Sequence, residues 1–148
     1  MKTIREKYNI SNFNSGHFFE ELIDEPTFYD KKFFGGLAIY VHGKMVAHLS
    51  EHGGDKTWRG TKYKIDVWDV CLVPTHREHH KALLKLLKGS MIHPVIEKWL
   101  YIPTASKHFE ATMFKLIELI QKQNSLIGIE PAIKKPKVKK TLIRANKK

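Results

Sequence analysis

The chain has 148 residues, a single cysteine, 42% apolar and 11% aromatic content, and 26 basic against 15 acidic residues, a net charge of +11. That length suits one domain whose core removes well over half of the unfolded chain's surface from water, and the apolar content excludes global disorder. A lone cysteine excludes a disulfide framework and a cysteine-rich zinc site, and no apolar run approaches the ~20 residues of a membrane-spanning helix.

The positive charge is concentrated at one end. From Pro131 onward there are eight basic residues, Lys134, Lys135, Lys137, Lys139, Lys140, Arg144, Lys147 and Lys148, and no acid; the first 130 residues keep 18 basic and 15 acidic residues, a net of +3. We expect an α+β domain over 1–130 and a disordered basic tail over 131–148, with Pro131 and Pro136 opposing regular structure. The opening Met-Lys-Thr-Ile-Arg-Glu-Lys-Tyr carries charge where a secretory signal needs an apolar core, so the expected compartment is the cytoplasm.

In chain order, residues 1–13 mix charge with isolated apolar residues and suit an ordered arm or a short strand. Asn14 or Ser15 is placed to cap a helix to about Asp24, with Phe18, Phe19, Leu22 and Ile23 as its buried stripe and Pro26 beyond its end. Phe33 to Leu49 then reads as two strands about a tight turn at His42-Gly43, because glycine supplies the positive φ of a hairpin turn. On the first strand Leu37, Ile39 and Val41 share one face and Ala38 and Tyr40 the other, so both faces are apolar. Gly35-Gly36 has neither the spacing nor the following helix of a phosphate cradle, and reads as a bulge or a close approach to another element.

Residues 50–60, rich in glycine and charge, read as a long surface loop or a wide hairpin connection that carries one exposed tryptophan, Trp58. Tyr63 to Val73 alternates as a strand that ends at Pro74, with Cys71 as a small core hydrophobe. Thr75-His76-Arg77-Glu78 has the form of a capping box opening a second helix, with Leu83, Leu84, Leu86 and Leu87 on its apolar side and Gly89 at its end. After an irregular stretch, Trp99 to Ile102 is a short strand, and Thr104 or Ser106 caps a third helix to about Gln123 with Phe109, Met113, Leu116, Ile117 and Ile120 in one stripe. Leu126 to Ile129 suits a last short strand or a docking segment. The order α-β-β-β-α-β-α describes a mainly antiparallel sheet flanked by helices on one face.

The run Phe33-Phe34-Gly35-Gly36, Ala38-Ile39-Tyr40 and Gly43-Lys44-Met45 resembles the hairpin of the TfoX N-terminal domain and its YgaC-like relatives, small bacterial α+β proteins. The resemblance implies a helix-flanked antiparallel sheet like that of bacterial secretion chaperones and YjbR-type domains. It brings no catalytic residues, and implies binding, of a regulatory kind, rather than catalysis.

Several constellations bear on chemistry. His76 and His80, four apart on one helix, face the same way as a metal pair would, but no third ligand stands at a telling spacing; solvated histidines are the alternative, and no metal or cofactor is expected. Trp58, Arg59, Trp68, His93 and Lys98 form a candidate surface for a planar ligand, a base or a partner, against the alternative that the tryptophans fill the core. No nucleophile stands beside a base in any recognisable context. The tail either neutralises phosphates of nucleic acid or only solubilises. The expected function is therefore a non-enzymatic bacterial binding domain whose tail makes non-sequence-specific nucleic-acid contact. The alternative is a protein-interaction or chaperone-like module acting as a homodimer. A small-molecule or metal enzyme using His76, His80, His93 and Arg59 ranks third, and no membrane contact is expected.

Overall fold

The computed structural model describes residues 8–33, 35–51, 57–58, 60–62 and 68–130. Its strands are β1 (Tyr29–Phe33), β2 (Gly36–Val41), β3 (Lys44–Glu51), β4 (Thr57–Trp58), β5 (Thr61–Lys62), β6 (Asp69–Val73), β7 (Met91–Ile92) and β8 (Leu100–Pro103). The α-helices are α1 (His80–Leu86) and α2 (Phe109–Gln121), and 3₁₀ helices cover Asn9–Asn12, Gly16–Leu22 and Arg77–His79. Six strands make one antiparallel sheet in the order β1-β2-β3-β6-β8-β7, and β4 and β5 pair separately. Among the described residues no helix is long and apolar enough to cross a membrane.

The β2–β3 hairpin forms where expected. His42 (φ 54°) and Gly43 (φ 76°) both lie in the left-handed region, the pair of conformations that matches a two-residue turn to the twist of its strands. Ile39 pairs with Ala47 but Tyr40 with Met45, so Val46 is an extra residue in β3, and this bulge turns both Val46 and Ala47 toward one face. Leu37, Ile39 and Val41 join that face, while Ala38 and Tyr40 lie on the other, as the alternation predicts.

The first face carries the larger core. Leu37, Ile39, Leu49, Cys71, Val73, Leu100 and Ile102 meet Phe18, Phe19 and Leu22 of the second 3₁₀ helix, Leu83 of α1, and Met113, Leu116, Ile117 and Ile120 of α2. Each such aliphatic side chain contributes about 1.5–3 kcal/mol by leaving water. On the opposite face Ala38, Tyr40, Met45, Val70, Leu72, Trp99 and Tyr101 form a second cluster, to which no α- or 3₁₀-helix residue belongs. Helices on one face are thus as expected.

Local details differ from the sequence expectations. The first helix is a 3₁₀ helix over Gly16–Leu22, and neither Asn14 nor Ser15 caps it with a side chain; their N–H groups instead donate to the Glu51 carboxylate of β3, at 2.8 and 2.9 Å. Likewise Asn9–Asn12 is helical rather than extended, with the N–H groups of Asn9 and Ile10 donating to the Asp30 carboxylate of β1 at 3.2 and 3.0 Å. The Phe33–Val41 strand is divided: Phe33 pairs with Gly36, so a first hairpin turns between them, and Gly35 (φ 70°) sits in that turn. Gly36 is the close approach, since a Cβ there would meet the Leu49 carbonyl and the His48 ring. The capping box at Thr75 does not form. Thr75 Oγ1 donates to the Leu126 carbonyl at 2.5 Å, and His76 occupies the cap position without a side-chain bond.

The third helix ends as a Schellman motif: Gln123 N–H donates to Ile120 O and Asn124 N–H to Leu119 O, with Gln123 at φ 55°. Leu126 to Ile129 is the docking segment. Met45 and Ile129 exchange backbone bonds of 2.9 and 3.2 Å, and Gly128 N–H donates to Pro74 O at 2.7 Å. Of the expected strand over 63–73, residues 63–67 lie outside the described residues.

Candidate functional site

Helix α1 and the loop between β7 and β8 face each other across a groove of about 410 Å³ lined by Arg77, His80, Ile92, His93, Pro94 and Glu97. The loop is built from inside by His93, which is fully buried. Its Nδ1 accepts from the N–H groups of Val95 and Ile96, both at 3.0 Å, so the ring is neutral with its proton on Nε2. His93 N–H donates to Trp99 O and Trp99 N–H to Ile96 O, each at 3.0 Å, which closes the loop on itself. The His93 ring lies between Trp68 and Tyr101, with both centroid distances 4.9 Å. Burial raises the Tyr101 hydroxyl above the ordinary tyrosine pKa.

The second histidine comes from α1. His80 is 8% exposed, and its Nε2 donates to the Lys98 carbonyl at 2.8 Å, tying the first turn of the helix to the far end of the loop. A carbonyl only accepts, so Nε2 carries a proton, and in the neutral form of the ring Nδ1 is an acceptor. Nδ1 takes no hydrogen bond among the described residues. At the rim Arg77 Nη2 and Glu97 Oε1 stand 3.9 Å apart, with side chains 71% and 66% exposed. Such a surface pair contributes about 0–1 kcal/mol, so either group is readily given up to a ligand. Ile92 and Val95 are exposed large apolar side chains beside it.

Of the candidate surface read from the sequence, the structure brings Trp68 and His93 together, but His93 contributes no accessible surface, and Trp68 is half-buried. Lys98 is exposed and enters through its carbonyl. Trp58 lies in β4, and Arg59 lies outside the described residues, as do all eight basic residues of the tail. The 3₁₀ turn between His76 and His80 leaves His76 exposed beside His79, ring centroids 5.9 Å apart, while His80 is buried and donates to the Lys98 carbonyl. No group of three or more His, Cys, Asp or Glu side chains is placed to hold a metal among the described residues. Cys71 is buried mid-sheet, and burial pushes its thiol pKa far up.

Sequence reasoning missed the Arg77–Glu97 rim and the open acceptor of His80. The only signal was the His-Arg-Glu-His-His run itself, which reads as one helical face unless the 3₁₀ turn is known. Comparison of the chain with protein-family models, with curated proteins and with solved structures gives no match.

Proposed function

We propose that the chain is a non-enzymatic binding domain whose basic tail contacts nucleic acid through its phosphates, without reading sequence. The observation that carries this reading is the segregation of charge: eight basic residues and no acid in the last eighteen, against a net of +3 over the preceding 130. A phosphate backbone binds such a segment by releasing condensed counterions, a drive that a near-neutral body lacks. The resemblance of the hairpin to the TfoX N-terminal and YgaC-like group adds weight to binding over catalysis.

The test is fluorescence anisotropy with a labelled duplex, using the wild-type chain and a full-length variant in which the eight tail residues are replaced by glutamine. With six or more phosphate contacts the wild-type affinity falls about 10³-fold or more between 50 and 200 mM salt. The variant loses both the affinity and the salt slope. Equal binding by the two chains, or a salt-independent affinity, would refute the tail as the contact.

A further inference from the structure

We propose that the groove between α1 and the β7–β8 loop takes one unstacked nucleobase carrying an exocyclic amino group, which gives the body a base preference on single strands that the tail lacks. This rests on the nucleic-acid reading above and adds to it a site on the folded part of the chain. Three features of the groove converge on such a ligand. His80, a residue only 8% exposed, offers a lone pair at Nδ1, and its tautomer is held by the Nε2 bond to Lys98 O. Glu97 brings a second acceptor to the same groove, next to a cation, Arg77, that suits a phosphate or stacks on a base plane. Ile92 and Pro94 supply apolar surface for a flat ring, and 410 Å³ lies in the range of small-ligand sites.

The polarity of the groove selects among bases. Two acceptors match the two N–H donors of one amino group, which adenine N6, cytosine N4 and guanine N2 each supply; thymine and uracil offer a single N3–H between carbonyl oxygens, so one of His80 Nδ1 and Glu97 would face a carbonyl of like polarity. Sequence-tolerant phosphate contact and base-edge selection are separate contributions, so they separate experimentally.

Labelled twelve-nucleotide oligo(dA), oligo(dC) and oligo(dT) are titrated by anisotropy at pH 8 and fixed salt with four full-length chains: wild type, Glu97→Leu, His80→Phe, and the eight-glutamine tail variant. A net hydrogen bond of about 1 kcal/mol corresponds to roughly fivefold, so wild type binds oligo(dA) and oligo(dC) about five- to tenfold tighter than oligo(dT). Glu97 is on the exposed rim, and its replacement by leucine removes both acceptor oxygens and leaves the core untouched. Glu97→Leu and His80→Phe bring the ratio to within twofold of one while oligo(dT) binding holds. A wild-type ratio within twofold of one, or a ratio that survives in Glu97→Leu, overturns the groove assignment. The tail variant separates the two readings: if the base ratio persists and the salt slope is unchanged, the tail reading has failed and the groove stands; if the slope collapses and wild type shows no base ratio, the reverse holds. No binding by any chain removes both.

Discussion

Substituting the two adjacent glycines of the first hairpin separates two physical demands. A Cβ on Gly36 would lie 2.3 Å from the Leu49 carbonyl oxygen and 2.6 Å from His48 Cε1, well inside the 3.0 Å that real Cβ atoms keep. The His48 ring is buried and its Nε2 donates to Phe33 O at 2.7 Å, so it is held in place. The Leu49 carbonyl belongs to a strand paired on both sides, with β2 and with β6. Neither can retreat without disturbing the sheet. Overpacking of this kind costs about 1–3 kcal/mol or more, and the entropy gained in replacing glycine offsets only about 0.4–1 kcal/mol. At the upper end of that cost, Gly36→Ala should therefore destabilise by about 2 kcal/mol. Gly35→Ala meets the left-handed φ of 70°, a cost of about 1–2 kcal/mol of which the same entropy gain leaves roughly half. Urea denaturation followed by circular dichroism reads both. With a slope of about 2 kcal/mol per molar, the midpoint falls by roughly 1 M for Gly36→Ala and about 0.4 M for Gly35→Ala. A Gly36→Ala chain as stable as Gly35→Ala would refute the close-approach argument.

Two more outcomes follow from the same coordinates. Glu51→Ala removes the carboxylate that accepts from Asn14 and Ser15, and should cost about 1–3 kcal/mol by urea denaturation, more than Glu51→Gln, which keeps one acceptor oxygen; a loss below about 0.5 kcal/mol would show that water replaces the cap at no cost. Cys71, whose thiolate is suppressed by burial, should react with Ellman's reagent at pH 8 only as fast as the chain opens, and at once in denaturing urea; stoichiometric labelling of the native chain within a minute would contradict its placement.

What sequence alone determines here is what nearest neighbours along the chain decide. The β2–β3 turn follows from His42-Gly43, the two apolar faces of β2 from its alternation, and the buried stripe of α2 from Met113, Leu116, Ile117 and Ile120, because each depends on backbone preference and a period within a few residues. The charge contrast between tail and body is likewise legible at sight. Tertiary structure decides wherever a partner is distant. Strand β1 has the polar core Asp30-Lys31-Lys32 and no alternation to reveal it; it is extended because β2 offers a row of backbone partners. The first two 3₁₀ segments start where Asp30 and Glu51 reach across from the sheet, 20 and more residues away, so no local capping rule could find them. β8 inserts between β6 and β7, and this places the 93–98 loop against α1. The groove depends on that insertion. Its acceptor exists only because Lys98 presents a carbonyl to His80 from eighteen residues further on, and a hydrogen bond that fixes a tautomer across such a distance leaves no periodicity in the sequence to be read.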